Sequence, residues 1–250
     1  MRKQKKSRLY RLIRWLVKTC YRKIRVVGQD QLPEESVILV GNHCQIHGPI
    51  TSELYAPGLH YTWCIGDMMD RKTVPAYAFR TFWSQKKKSV RWFYKLLSSM
   101  IGPLAECIFN NANTIGVYHD SRVLSTFKHT VQRLQEGANI VIFPESDDPY
   151  SNIVNRYQDR FIDVARLYYR RTGKQVQFVP FYLAPELKTL CIGKPIRYRP
   201  DADPAGERNR ICTYLMEEST HLGRQLPEHT VIPYNIMPKD RYPSNKEVSL

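Results

Sequence analysis

Ser36 to Ile50, SVILVGNHCQIHGPI, is the stretch on which the reading of the whole chain turns. The apolar run Val37-Ile38-Leu39-Val40 has the length and β-branched content of a buried strand. Gly41 loosens the backbone just before Asn42 and His43, so His43 falls where a strand gives way to a loop. Gly48 suits a tight bend and Pro49 a first helical turn, which predicts a helix opening at Pro49. Strand, loop and helix in that order form one edge of an α/β sheet, the edge where such folds place their chemistry. A histidine there can accept a proton at neutral pH, or it can be no more than a hydrogen-bonding residue in a turn.

Working outward, Tyr61 to Ile65 reads as a second strand, and Asp67 to Ser84 as an irregular or helical segment rich in aromatics. Residues 121–136 predict a helix, with Val123, Leu124, Phe127, Val131 and Leu134 on one face and Gly137 as its stop. Ile140 to Phe143 then form a buried strand that ends in Pro144-Glu145, so a carboxylate stands at a strand tip much as His43 does. A helix over Phe161 to Tyr169, strands over Val176 to Leu183 and Leu187 to Ile192, and a helix over Ala205 to Leu222 follow. This alternation predicts an α/β fold with a mixed, largely parallel sheet covered by helices. The expected division is a basic helix at residues 1–25, the α/β domain at 26–226 and an extended, proline-punctuated tail at 227–250.

Thirty-eight Lys and Arg against 23 Asp and Glu give the 250 residues a net charge of +15, which calls for an anionic partner. Residues 1–25 hold eleven of those cations and no acid, interleaved with Leu9, Leu12, Ile13, Leu16, Val17 and Cys20 at helical spacing, with Tyr10 and Trp15 flanking. Such a helix suits the headgroup region of an anionic membrane, so the protein is expected peripherally on the cytoplasmic face; no recognition motif supports nucleic acid as the partner. Arg14 and Lys18 interrupt any signal-peptide core, and no stretch is apolar for the ~20 residues that span a bilayer. Lys86-Lys87-Lys88, followed by Trp92, Phe93, Tyr94, Leu96 and Leu97, suits a membrane interface and the rim of a core helix equally. The six cysteines are scattered, without the spacing of a zinc site or a disulfide framework. His43 and His47, with Cys44 or Glu53, have a metal-ligand spacing only if one helix holds both histidines, and Gly48-Pro49 argues against that helix; no metal is expected.

Asn42-His43, then Phe143-Pro144-Glu145, then Val179-Pro180 with Gly193-Lys194-Pro195-Ile196 after it, follow one another in the order of sequence blocks known from one family. Residues 35–200 resemble the glycerolipid acyltransferases, the lysophosphatidic acid and glycerol-3-phosphate acyltransferases, as a divergent member. The resemblance implies transfer of a fatty acyl group, in phospholipid biosynthesis, from acyl-CoA or acyl-carrier protein to the hydroxyl of a lysophospholipid or glycerol-phosphate-like acceptor. No cofactor beyond that acyl thioester is implied. His43 would be the base, Glu145 would stand on the acceptor side, and basic residues would bind the acceptor phosphate.

The family's pattern is altered at three places. Its aspartate, which orients the catalytic imidazole, falls on Gly48, leaving His47, Asp120 or Glu53 as replacements. Its phosphate-binding arginine falls on His119, with Arg122 three residues on. In the third block Ser146 replaces a glycine, and Asp147-Asp148 would repel an anionic acceptor unless Arg156 and Arg160 offset them. The expected site is therefore His43, His47 and Asp120 for catalysis, and Glu145, His119, Arg122, Ser146 and Arg160 for the acceptor. The alternative is a non-catalytic, membrane-associated lipid-binding protein that keeps the fold.

Overall fold

A computed structural model describes residues 6–84, 86–118 and 120–247. In chain order the elements are α1 (Arg8–Cys20), β1 (Arg25–Val27), β2 (Val37–Gly41), α2 (His47–Tyr55), β3 (His60–Ile65), α3 (Val74–Ala78), α4 (Arg91–Asn111), β4 (Thr114–Val117), α5 (Val123–Gln135), β5 (Asn139–Ile142), β6 (Glu145–Pro149), β7 (Asn155–Tyr157), α6 (Asp163–Thr172), β8 (Gln177–Ala184), β9 (Thr189–Ile192), β10 (Ile196–Arg197) and α7 (Pro204–Gln225). They divide into two compact units, Met1–Tyr21 with Trp63–Thr126, and Arg22–Thr62 with Phe127–Leu250.

In the second unit the sheet is organised about β2, whose five residues are all buried. β2 pairs in parallel with β5 on one side (Ile38 opposite Ile140, Val40 opposite Ile142) and with β8 on the other (Leu39 opposite Val179, Gly41 opposite Phe181). β3 extends the sheet in parallel beyond β5. β9 runs antiparallel to β8, β1 parallel to β9, and β10 antiparallel to β8, so the sheet is mixed and mostly parallel, as the alternation of elements predicts. A strand with helix-covered neighbours on both sides has no solvated face, which is why its sequence is an uninterrupted apolar run. α7 begins where the Asp203 carboxylate accepts the Gly206 N–H and Pro204 fixes the first turn. It buries Ile211, Cys212, Leu215, Met216 and Ser219, a stripe at i, i+4 spacing.

Two differences from the sequence reading matter for the site. α2 opens at His47, two residues before Pro49, because Cys44 and Gln45 have already turned the chain through left-handed conformations (φ 46° and 55°). Residues 227–247 fold back on themselves: the Val231 N–H donates to the Pro243 carbonyl, and the Asn245 N–H donates to the His229 carbonyl. The buried Asn245 amide donates to the carbonyls of Gly223, Leu226 and Pro227, tying this segment to the end of α7.

In the first unit, the Ser7 hydroxyl caps α1 by accepting the Tyr10 N–H, and α3 packs on α4. β4 follows α4, and the Thr126 hydroxyl at the start of α5 donates to the Gly116 carbonyl. No helix among the described residues is long and apolar enough to cross a membrane.

Candidate active site

The chain leaves the sheet at His43 through a substitution of side chain for backbone. After Gly41, the Asn42 carboxamide takes over the pairing with β8: its Oδ1 accepts the Leu183 N–H at 2.8 Å and its Nδ2 donates to the Leu183 carbonyl at 3.0 Å. The same Nδ2 lies 2.9 Å from the Cys44 thiol. Asn42 thereby satisfies β8 while its own main chain turns out of the plane. Left-handed Cys44 and Gln45 cost on the order of 1 kcal/mol each for residues with a Cβ, and the surrounding bonds hold them. The His47 and Gly48 N–H groups donate to the carbonyls of Cys44 and His43, both at 3.0 Å, and Gln45 Nε2 donates to the Tyr242 hydroxyl at 2.9 Å. Gly48 lies so close beneath the loop that a Cβ there would stand 2.3 Å from the His43 carbonyl oxygen and 2.9 Å from the Phe143 ring. No side chain fits at position 48, so the carboxylate absent from it has no room there.

The His43 ring stands edge-on to Phe143, with centroids 5.2 Å apart, and to Tyr234, at 5.6 Å. Its Nδ1 is buried and makes no hydrogen bond among the described residues. Burial lowers the imidazole pKa to about 4, with the backbone at Gln45 opposing the fall, so the ring is neutral at pH 7. Glu145, at the tip of the adjacent parallel strand, reaches it from below: Oε2 accepts the His43 N–H at 2.7 Å, and Oε1 accepts the Asn155 N–H at 2.8 Å. The two strand tips singled out in the sequence are thus joined, but through the His43 amide and not its ring. With only 4% of its surface exposed, Glu145 is raised by burial to about 7, against the lowering effect of those two N–H groups. It fixes the histidine loop and the β6–β7 hairpin together.

The other expected residues are distributed. His47 starts α2, and its pKa is lowered first by burial and then by the charges of Arg22 and Lys239. The Ser146 hydroxyl donates to the Arg156 carbonyl across the β6–β7 hairpin, while Arg156, Asp147 and Asp148 are exposed. Arg160 opens a short turn ahead of α6 and is exposed. In the first unit, Asp120 accepts from the Arg122 guanidinium at 2.7 and 3.0 Å, and this partner holds its carboxyl at about 2. Arg122 also lies over the Tyr118 ring, and His119 falls outside the described residues. No group of three His, Cys, Asp or Glu side chains is placed to hold a metal among the described residues.

Neither a family model nor a curated protein matches this chain. A solved structure, that of the 1-acyl-sn-glycerophosphate (LPA) acyltransferase PlsC from Thermotoga maritima, is similar to 88% of this chain over 81% of its own, at 14% identity and a TM-score of 0.48. A likeness of that degree leaves the function to be read from the residues themselves.

Asn42, Asn155, Tyr234 and Tyr242 belong to the site and were not found from sequence. Asn42 had a signal, since a residue between a buried strand and a candidate base must settle the sheet's last hydrogen bonds. The tyrosines had a weaker one: aromatics beside prolines, Pro233-Tyr234 and Tyr242-Pro243, suggest a segment that packs. Together these residues offer one neutral imidazole on a fixed loop, walled by two aromatic rings, with its Nδ1 turned into the protein and closed to a substrate. That arrangement can take a proton from a hydroxyl only if the imidazolium it forms is stabilised by something that arrives with the substrate.

Proposed function

We propose that this protein is an acyltransferase that moves a fatty acyl group from acyl-CoA or acyl-carrier protein to the hydroxyl of a lysophospholipid or glycerol-phosphate-like acceptor. The observation that carries the reading is the neutral, largely buried imidazole of His43, placed on a fixed loop at the carboxyl edge of the central strand. The order of the sequence blocks around His43, Glu145 and Val179-Pro180 supports it. His43 takes the hydroxyl proton as the acceptor oxygen attacks the thioester carbonyl carbon. The tetrahedral intermediate then collapses, the C–S bond breaks, and the leaving thiolate recovers the proton from the imidazolium. Arg22 and Lys239, whose charges already act on His47, would serve an anionic headgroup at this loop. The α1 helix holds the protein peripherally on an anionic membrane, where such acceptors reside.

A second reading, binding of a lysolipid without turnover, is favoured by one observation. No carboxylate contacts the His43 ring nitrogen Nδ1 among the described residues, and position 48 has no room for one. Thiol release from a long-chain acyl-CoA, and then from acyl-carrier protein, with a panel of lysolipids separates the two readings. Turnover that falls by ~10²–10⁴ in His43→Ala is the expected result. Silence with both donors, together with retained lysolipid binding, refutes acyl transfer and leaves the binding protein.

A further inference from the structure

α4 is built inside out for a helix that meets water. The face it turns inward carries small residues, Ser98, Gly102 and Ala105, all buried. The face it turns outward carries Phe93, Leu96, Met100 and Leu104, all exposed, within an arc of about 80° at 100° per residue. Trp92 lies beside this stripe and is 67% exposed; Met100, at its centre, is 69% exposed. A surface helix of a water-soluble domain shows the reverse. α1 repeats the pattern in the same unit, with Tyr10 buried and Leu9, Leu12 and Leu16 exposed. The two helices are tied at Ser7, whose N–H donates to Asn111 Oδ1 at 2.7 Å and whose hydroxyl lies 3.5 Å from the Cys107 thiol.

The charge points the same way. Residues 1–21 and 63–126 hold 17 of the 38 Lys and Arg and 4 of the 23 Asp and Glu, a net +13 out of the chain's +15. Lys86, Lys87, Lys88, Arg91 and Lys95 crowd the start of α4, with the Lys86 ammonium 5.8 Å from the centroid of the Tyr94 ring. Nucleic acid would answer the charge and leave the apolar stripe uncovered. A neutral protein partner would cover the stripe and leave the charge. An anionic bilayer surface answers both, since acyl chains accept the stripe, headgroup phosphates accept the cations, and aromatics sit at the boundary.

We propose that the α4 face enters the headgroup region of an anionic bilayer as a second contact, so that the protein is held by two helical faces and not by α1 alone. This goes beyond the attachment by α1 proposed above and does not require the acyl-transfer chemistry.

The test is flotation of the full chain with phosphatidylcholine vesicles carrying phosphatidylserine. Wild type is compared with a triple variant in α4 (Phe93→Gln, Leu96→Gln, Met100→Gln) and one in α1 (Leu9→Gln, Leu12→Gln, Leu16→Gln), with circular dichroism as the folding control. The α4 variant should lose about 10²–10³-fold in partition with α1 intact, because each of the three inserted side chains is worth roughly five- to tenfold. An α4 variant that floats like wild type overturns the proposal while leaving α1 attachment standing; a wild type that ignores the vesicles overturns both. A wild type that sediments as a dimer, dissociated by the α4 substitutions, shows that a second copy covers the stripe and also overturns it. Should the triple variant not fold, quenching by brominated lipid decides on folded protein: the quenching must be strong in wild type and reduced in Trp92→Phe, and equal quenching in both counts against α4.

Discussion

His43 and Glu145 should oppose each other in the pH dependence of stability, and removing either should expose the other. Glu145 has its ordinary 4.5 raised to about 7 in the folded protein. Between those values the folded state holds a proton that the unfolded chain has released, so stability is highest below pH 4.5 and is lost as pH rises through 7. At about 1.4 kcal/mol per pH unit the loss is about 3 kcal/mol. His43 has its 6.5 lowered to about 4. There the unfolded chain binds the proton, so the contribution is present above pH 6.5 and lost as pH falls to 4, again about 3 kcal/mol. The two windows overlap from pH 4.5 to 6.5, where the slopes cancel. Urea unfolding followed by tryptophan fluorescence, from pH 4 to 8 at constant ionic strength, gives the slopes directly. As far as these two groups set it, the wild-type profile should be nearly flat between pH 4.5 and 6.5. Glu145→Gln should gain stability with rising pH, although it is weaker throughout, because an amide NH2 then faces a backbone N–H. His43→Gln should lose stability with rising pH. A Glu145→Gln profile parallel to wild type would refute the buried, proton-holding carboxyl on which this reasoning rests.

Gly48→Ala should destabilise the fold by about 1–3 kcal/mol, since its Cβ would press on the His43 carbonyl, and Gly48→Asp should lose rather than gain thiol-release activity. Either variant melting like wild type counts against the loop geometry. Tyr234→Ala opens one wall of the His43 ring, so the imidazole pKa, read from its NMR titration, should rise from about 4 toward 6.5; an unmoved titration means that Tyr234 does not desolvate the ring. The acid limb of kcat/KM, which reports the free enzyme, should lie near pH 4, well below the ordinary histidine value, and a limb near 6.5 would show an imidazole in contact with water.

What could be read from sequence was local. The β2 strand announced itself because both its faces are covered, which leaves no polar position to break the pattern, and the apolar run before Pro144-Glu145 did the same for β5. The meeting of His43 and Glu145 followed from strand tips on neighbouring parallel strands, a matter of topology. The β6–β7 hairpin was not legible: ESDDP carries neither alternation nor β-branched residues, and a bond from the Asn155 N–H to the Glu145 side chain across the hairpin holds it. The wall formed by Tyr234 and the brace formed by Tyr242 bring together residues almost two hundred positions apart, and no periodicity records that. The left-handed turn at Cys44-Gln45 was hidden for a different reason. Neither residue prefers that conformation, so Asn42, Gly48 and Tyr242 must impose it.

The usual order of carboxyl and imidazole is inverted at this site, and the inversion bears on how the proposed chemistry would be gated. Near pH 7 the unloaded protein holds a neutral His43 and a Glu145 that burial raises to about 7, although the two share a hydrogen bond through the His43 amide. Both shifts have one cause, burial without a compensating charge. An anionic acceptor brought beside the ring changes the electrostatics for both groups in the same direction: it favours the imidazolium and disfavours the carboxylate. Binding would then draw protons in, and the imidazole would become a stronger base only once the acceptor is in place. A histidine lacking a carboxylate partner of its own is a poor hydrolytic catalyst when the site is empty, because the imidazolium has nothing to stabilise it. In the proposed reaction the substrate's own phosphate would supply that charge, and the thioester would be spared until the acceptor had arrived.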